Sequence, residues 1–327
     1  MKGEGKVLKN QTFFLITEKV AGVPFKNDTP EQAKILGRYI ANLHCRGIYY
    51  ADLHSKNIIL RPDDTPCLID AQEIYFWPWL PRRWRVYNLA KLFSHMHNHT
   101  QSKDWTREFL GAYNQGLKAP VELPELIQAT RRYQDRRYRS RVKRCCKDST
   151  EFEILRHRHL RGYRRRSFAW LENDLRNALD KGVVIKPDRV HCFQDVCIKI
   201  HRRKLFHRDR CLTSWKMSRA LDVRRIMVPL SLAYFRTGDK SYFLSQFLKE
   251  SVGLNEYLSR ITEADQKRAA LKKLAQWLKK IHSLGIWQHD LKSSNVLYHQ
   301  GEYVLTDLDS VRIRRLSHHH EISTWRN

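Results

Sequence analysis

The sequence predicts an α+β fold built as a tandem: the helical half of a first copy, then a strand-rich segment and part of the helical half of a second. Three observations predict it. A stretch of 18 residues recurs without a gap at an offset of 238 positions. Each occurrence follows a helix with start and stop signals. Each is followed by a short apolar strand, a polar turn and a return strand that ends on an acid.

In the first copy, Thr29 is suited to cap a helix with Pro30 in its first turn, and Gly47 closes it. The repeated stretch then runs from Leu43 to Leu60 and carries Asp52 and Asn57, and Cys67-Leu68-Ile69-Asp70 is the return strand. Helical spacing resumes in Arg85–Phe93 and Phe109–Tyr113. Further on, Asp195-Val196-Cys197-Ile198-Lys199-Ile200 reads as a buried strand presenting one lysine. In the second copy, Thr262 precedes Glu263-Ala264-Asp265, whose acids suit a positive helix start. Ala270, Leu271, Leu274, Leu278 and Ile281 recur at helical spacing until Gly285. The repeat then runs from Ile281 to Tyr298 with Asp290 and Asn295, and Tyr303-Val304-Leu305-Thr306-Asp307 is the return strand. The expected domains are 1–130, a basic linker over 131–150, a strand-rich lobe over 151–247 and a partial helical lobe over 248–327.

Composition narrows the function. Hydrophobic residues at 42% and aromatics at 11% exclude a disordered chain, although 61 Lys and Arg against 34 Asp and Glu leave a formal charge of +27. The start, Met1 to Lys6, lacks the apolar core of a signal peptide, and the longest apolar run, Met227 to Phe235, is too short to cross a bilayer. Seven cysteines without a CxxC pair fit a reducing compartment, and adjacent Cys145-Cys146 lacks metal-site spacing. These features describe a folded cytosolic chain drawn to something anionic. Residues 1–80 are nearly neutral, with 10 basic and 9 acidic groups, whereas 81–170 carry 22 against 8. The densest part, Arg131 to Arg166, reads as a solvated basic helix between domains, as a contact for an anionic membrane surface, or as a nucleic-acid arm, the last being disfavoured. Trp77, Trp79 and Trp84, beside Pro78 and Pro81, read as core or groove wall, with a membrane-interface role as the alternative.

The repeated pattern implies a chemistry. A loop presents an Asp, an Asn follows five residues later, and a second Asp ends the return strand, 18 residues after the first in one copy and 17 in the other. A two-stranded hairpin sets the Asn beside the second Asp as oxygen ligands for a hard cation. The first Asp is left to accept a proton from a hydroxyl. A base, with a carboxylate and an amide holding Mg²⁺ on a nucleotide, is the apparatus of phosphoryl transfer.

On these residues the chain resembles the protein-kinase-like superfamily, with Asp-x-x-x-x-Asn as catalytic loop and the later Asp as the DFG-type metal ligand. Within it the chain is most similar to the lipopolysaccharide core kinases, which phosphorylate Kdo or heptose. The likeness rests on His289 to Asn295, Thr306 to Asp309, Leu68 to Gln72, and Arg139 to Phe152 running into Tyr163-Arg164-Arg165-Arg166. It implies ATP and Mg²⁺ as cofactors and Asp290 as base. Lys292 would meet the transferred phosphoryl group, and Asn295 and Asp307 would be the metal ligands. Lys199 would grip the nucleotide phosphates, and Gln246, in the hinge strand Tyr242–Leu248, would lie against adenine. In the first copy it assigns Asp52, Asn57 and Asp70 to the same three roles and Glu18, in Phe13–Glu18, to the hinge; His54 replaces Lys292. Asp309 reads as an ordinary turn acid, with a further metal ligand as the disfavoured alternative. The implied acceptor is a lipopolysaccharide core sugar, met at the cytoplasmic face of the inner membrane.

About a dozen residues precede the first hinge and 20 follow Asp307, so the chain is expected to begin inside one kinase and stop inside another. That leaves the second copy as the expected active one. It departs from the family pattern in two places. Only Gly162 and Gly182 lie between Glu151 and Ile200, so there is no Gly-rich loop, and no Glu stands in Ser214–Leu221 to pair with the lysine. A catalytically degenerate scaffold is the competing reading. The sequence carries no signal for an oligomeric state.

Overall fold

A computed structural model describes residues 19–25, 29–96, 103–204 and 206–314. The chain divides into two compact units, Met1–Asp135 and Arg136–Asn327. Among the described residues no helix is long and apolar enough to cross a membrane.

The first unit contains β1 (Val23–Pro24), α1 (Pro30–Cys45), β2 (Ile48–Tyr50), β3 (Ile58–Leu60), β4 (Pro66–Leu68), β5 (Ile74–Phe76), α2 (Arg82–Met96) and α3 (Lys103–Asn114). The next helix, α4 (Leu123–Arg144), crosses the boundary between the units and carries most of the stretch expected as a linker. Helix α1 begins as its sequence dictates: Thr29 Oγ1 accepts from the Gln32 amide at 3.2 Å and Pro30 fills the first turn. Its buried face of Ala33, Leu36, Ile40 and Ala41 joins Phe109 and Tyr113 of α3 in one core. Each buried Leu or Ile there contributes about 1.5–3 kcal/mol. Gly47 ends the α1 turn at φ +73°, and a Cβ would lie 1.8 Å from the Trp77 carbonyl oxygen, so only glycine fits. Strands β3 and β4 form a hairpin with Ile58 opposite Leu68, and β2 pairs with β5, Tyr50 opposite Ile74.

The second unit continues with β6 (Phe152–His157), β7 (Leu160–Arg165), α5 (Glu172–Lys181), β8 (Val183–Lys186), β9 (Val190–Phe193), β10 (Val196–Arg202), α6 (Arg210–Asp222), β11 (Ser231–Thr237) and β12 (Lys240–Gln246). Its strands form one seven-stranded sheet in the order β6-β7-β11-β12-β10-β9-β8. Strand β10 is interior, between β12 and β9, and alternates as a half-buried strand should. Val196 and Ile198 enter a core with Ala233, Phe235 and Leu244, while Lys199, opposite Phe243, lies on the other face. Helix α6 packs on that second face through Cys211 and Trp215, which join Phe152, Tyr234 and Phe243. Asp209 caps α6, accepting from the Leu212 amide at 3.1 Å, and also accepts from Ser241 Oγ at 2.9 Å and Tyr234 OH at 2.8 Å.

After the sheet come β13 (Val252–Gly253), α7 (Leu254–Ser259), α8 (Ala264–Ser283), β14 (Ile286–Gln288), β15 (Val296–His299), β16 (Glu302–Leu305) and β17 (Val311–Ile313). Trp277 and Ile281 of α8 pack with Ile286, Val296, Tyr303, Leu305 and Val311 in a core of their own. The succession from α8 to β17 repeats that from α1 to β5: helix, strand, 3-10 turn, hairpin, 3-10 turn, and a strand paired with the first. The mixed helix-and-sheet architecture agrees with the expected fold class.

Candidate active site

In the second unit, β14 leads into the loop that carries Asp290 and Lys292, and the 3-10 turn Ser293–Asn295 ends on Asn295. Asn295 Nδ2 donates to the Asp290 carbonyl at 2.8 Å, which fixes the loop and leaves the amide oxygen as an acceptor. The β15–β16 hairpin then sets Asn295 beside the return strand, the Thr306 amide donating to the Asn295 carbonyl at 2.9 Å. Asp307 follows in the left-handed conformation (φ 53°, ψ 55°). Asp tolerates that region better than most residues but at a cost. Gln288 holds it there, Nε2 donating to the Asp307 carbonyl at 3.2 Å.

Lys199 comes from β10 and contacts the Asp307 carboxylate; it also donates to Asp309 Oδ1 at 3.0 Å. Burial alone would lower the lysine pKa, but the charges and hydrogen bonds of Asp309 and Asp307 outweigh it and hold Lys199 above the ordinary value. Asp309, whose side chain is only 3% exposed, also accepts from Arg210 at the start of α6. Its burial pushes the carboxyl up, and the two cations more than reverse that, keeping it ionised. Asp309 is therefore no ordinary turn acid but a buried carboxylate paired with both Lys199 and Arg210. On the loop, Lys292 Nζ lies 2.9 Å from Asp290 Oδ2. That hydrogen bond holds the Asp290 carboxyl below its usual range and raises the Lys292 ammonium.

Asn295 and Asp307 fit a magnesium site chemically: one carboxylate and one amide oxygen are hard donors, and the hairpin pairs Asn295 with Thr306, the residue before Asp307. Among the described residues no three His, Cys, Asp or Glu side chains cluster as a metal site, so phosphate oxygens of a nucleotide would have to complete the shell. Gln246 ends β12, exposed, with its amide donating to the Leu230 carbonyl at 2.8 Å. An adenine there would have to meet other atoms of the strand. The β8–β9 turn that follows Lys186 is Pro187-Asp188-Arg189, without glycine.

The first unit repeats the loop with different braces. Asn57 Nδ2 donates to the Asp52 carbonyl and to Oδ2, each at 3.2 Å, and to Tyr50 OH at 2.8 Å. The Ile69 amide donates to the Asn57 carbonyl at 3.0 Å, and Asp70 follows at φ 60°. Tyr50 does here what Gln288 does in the second unit, its hydroxyl lying 2.9 Å from the Ile69 carbonyl and 3.0 Å from that of Asp70. Lys91 of α2 lies 3.1 Å from Asp52 Oδ1 and His54 Nε2 3.4 Å from Oδ2. Burial pushes the Asp52 carboxyl up, but Lys91, His54 and Asn57 together carry it below its usual range. Deeper in, Asn88 Nδ2 donates to the Tyr50 carbonyl at 2.7 Å, which makes Asn88 Oδ1 the acceptor for His44 Nε2–H at 3.0 Å. His44 Nδ1 then accepts from Tyr113 OH at 2.8 Å. Burial drives the His44 pKa down to about 4, so the imidazole is neutral. Glu18, expected at the hinge, lies outside the described residues.

The structure thus brings Lys199, Asp290, Lys292, Asn295 and Asp307 into one unit, and Asp52, Asn57 and Asp70 into the other. Sequence reasoning passed over Arg210, Lys91, the part played by Tyr50 and the His44–Asn88–Tyr113 brace, and did not foresee Asp309 as the partner of Lys199. Asp309 alone left a signal, being an acid two residues after Asp307, where Gln72 stands in the first copy.

Residues 7–113 match the lipopolysaccharide kinase (Kdo/WaaP) family. The match falls on the first copy. No curated protein matches the chain. Among solved structures, one described as "WaaP in complex with acyl carrier protein" aligns at TM-score 0.32 and 16% identity, covering 56% of this chain and 69% of that one. A crystal structure of WbdD aligns at 0.29 and 15%, covering 42% of this chain and 34% of its own; WbdD with the kinase inhibitor LY294002 gives 0.29 and 16%, covering 43% and 34%. This chain thus spans about a third of the WbdD structures. The chain is thus similar, over residues 7–113 and about a third of its length, to the lipopolysaccharide kinase (Kdo/WaaP) family.

Proposed function

We propose that the chain is a tandem of partial kinase-like copies, 1–130 and 151–327 joined by a basic segment, and that the second copy transfers phosphate. The reaction is ATP- and Mg²⁺-dependent transfer to a hydroxyl of a lipopolysaccharide core sugar, Kdo or heptose. The observation that carries this reading is the linked set in the second unit: Lys199 on Asp307, Thr306 next to Asp307 bonded to Asn295 across a hairpin, and Asn295 on the Asp290 loop.

Asp290, ionised at neutral pH, accepts a hydrogen bond from the sugar hydroxyl, orients it, and takes its proton late, as the oxygen bonds to phosphorus. Lys292 stays charged beside it and meets the phosphoryl oxygens. Lys199 exchanges its contact with Asp307 for the nucleotide phosphates and keeps Asp309 as its anchor. Asn295 and Asp307 would hold Mg²⁺, which would supply charge neutralisation at the phosphates. In the first copy Asp52, Asn57 and Asp70 are the equivalent base and metal ligands, with Glu18 and Gln246 on the two hinges. The acceptor is anchored in a bilayer, and the basic surface holds the protein peripherally at the cytoplasmic face of the inner membrane. Nucleic acid is not a partner in this reading.

The test is transfer of labelled γ-phosphate from ATP to a Kdo- or heptose-bearing acceptor. Asp290→Ala should reduce it about 10²–10⁴-fold and Lys199→Ala should abolish it. Transfer unchanged in Asp290→Ala rejects the assignment. The glycine-free turn at Pro187-Asp188-Arg189 favours a second reading, a degenerate scaffold. In that case ATP raises the melting temperature while no sugar acceptor is labelled.

A further inference from the structure

Five consecutive residues of the first unit, Tyr75-Phe76-Trp77-Pro78-Trp79, are all exposed. Phe76 is 77% and Trp79 73% open to solvent, Tyr75 50% and Trp77 45%. Apolar residues exposed singly are ordinary, but four aromatics and a proline exposed in a row are a surface made to be covered. Its backbone is fixed. Strand β5 pairs with β2, Phe76 opposite Ile48, and the Trp77 amide donates to the Gly47 carbonyl at 2.8 Å. Beneath it Tyr49 makes an edge contact with Trp84, centroids 5.5 Å apart. The aromatic rings are therefore presented outward from a braced segment.

Both the residue types and the surrounding charge indicate what covers it. Trp and Tyr favour the headgroup level of a bilayer, where an apolar ring and a polar N–H or O–H are both satisfied, and Phe goes deeper. Pro78 brings no amide donor into that layer. Arg46, next to the Gly47 that the run packs against, and Arg83, four residues beyond Trp79, are exposed cations at its border. Arg82 is engaged with Glu125. The acid closest in sequence, Glu73, accepts from Tyr75 OH at 3.2 Å.

We propose that Tyr75–Trp79 is a wedge that inserts into the interface of an anionic phospholipid bilayer, with Arg46 and Arg83 on the lipid phosphates. The run begins five residues after Asp70, so the wedge sets the first unit's loop near the lipid surface. That last consequence rests on the phosphotransfer reading; the docking itself does not.

The experiment uses the full chain with mixed phosphatidylglycerol and phosphatidylcholine vesicles whose acyl chains carry bromine, a short-range quencher of tryptophan. Wild type should sediment with the vesicles and lose tryptophan emission. Trp77→Phe combined with Trp79→Phe should still bind but lose most of the quenching, leaving the exposed Trp287 as reference. Phe76→Ser combined with Trp79→Ser should weaken partitioning roughly a hundredfold with unchanged far-UV circular dichroism. Quenching that survives removal of the two indoles overturns the proposal, as does vesicle binding insensitive to Phe76 and Trp79. Concentration-dependent self-association that the serine variant abolishes, without vesicle binding, would make the run an interface between chains instead. Phosphate transfer is read separately, so its absence leaves this result standing, and the converse.

Discussion

Asp307 and Asp309 stand two residues apart on the same lysine, and their neutralisation should have opposite consequences. Asp309→Asn keeps the volume but removes a charge whose side chain is 3% exposed, leaving Arg210 without its carboxylate and Lys199 with only Asp307. Removing one partner of a buried pair costs about 3–5 kcal/mol. Arg210 is 55% exposed, so water screens its share and the net loss is about 2–3 kcal/mol. For a unit of this size that lowers the melting temperature by roughly 5–10 °C, read by calorimetry. Asp307→Asn should behave differently. Asn accepts the left-handed backbone, the side chain is 30% exposed, and Asp309 still holds the lysine, so the melt should move little. What it should lose is stabilisation by Mg²⁺ and ATP, measured in the same instrument. In a Lys199→Met background the cost of Asp309→Asn should shrink by about 1–2 kcal/mol, the signature of a direct pair. Additive costs, or an Asp309→Asn melt within about 2 °C of wild type, would refute the anchoring role.

Two further outcomes concern the first unit. His44 titrates at about 4 when folded against an ordinary 6.5, so between those values the unfolded chain takes a proton that the folded unit refuses. Stability should therefore be full above pH 6.5 and fall by about 3 kcal/mol as the pH drops to about 4, and His44→Gln should flatten urea midpoints measured across that window. Tyr50→Phe removes the hydroxyl shared by Asn57 and the Ile69–Asp70 carbonyls and should cost about 1–3 kcal/mol in the same assay. No loss would mean that Asp70 needs no such brace.

Much of this was legible because it is local. The cap at Thr29, the stops at Gly47 and Gly285, and the hairpins that set Asn57 beside Ile69 and Asn295 beside Thr306 follow from short-range rules, and the repeat doubled each signal. What was not legible depends on distant packing. Lys91 reaches Asp52 only because α2 folds back on the loop, and Asn88 reaches Tyr50 by the same route. Asp309 became the partner of Lys199 through strands more than a hundred residues apart. The three tryptophans after Asp70 read as core or groove wall; Trp84 packs as that implies, but Trp77 and Trp79 face water. Nothing in residue type separates an aromatic that fills a core from one that stays exposed.

The central claim is that a proton acceptor and two magnesium-holding side chains serve one nucleotide in the second unit. The direct measurement is a crystal structure of the full chain with Mn²⁺ and a non-hydrolysable ATP analogue, the metal located by its anomalous scattering. The account predicts manganese about 2.1 Å from an Asn295 oxygen and the Asp307 carboxylate, with Lys199 on the phosphates and Asp290 facing the γ-phosphate. Metal and nucleotide bound without Asn295 and Asp307, or an Asp290 turned away from the phosphate, would contradict it.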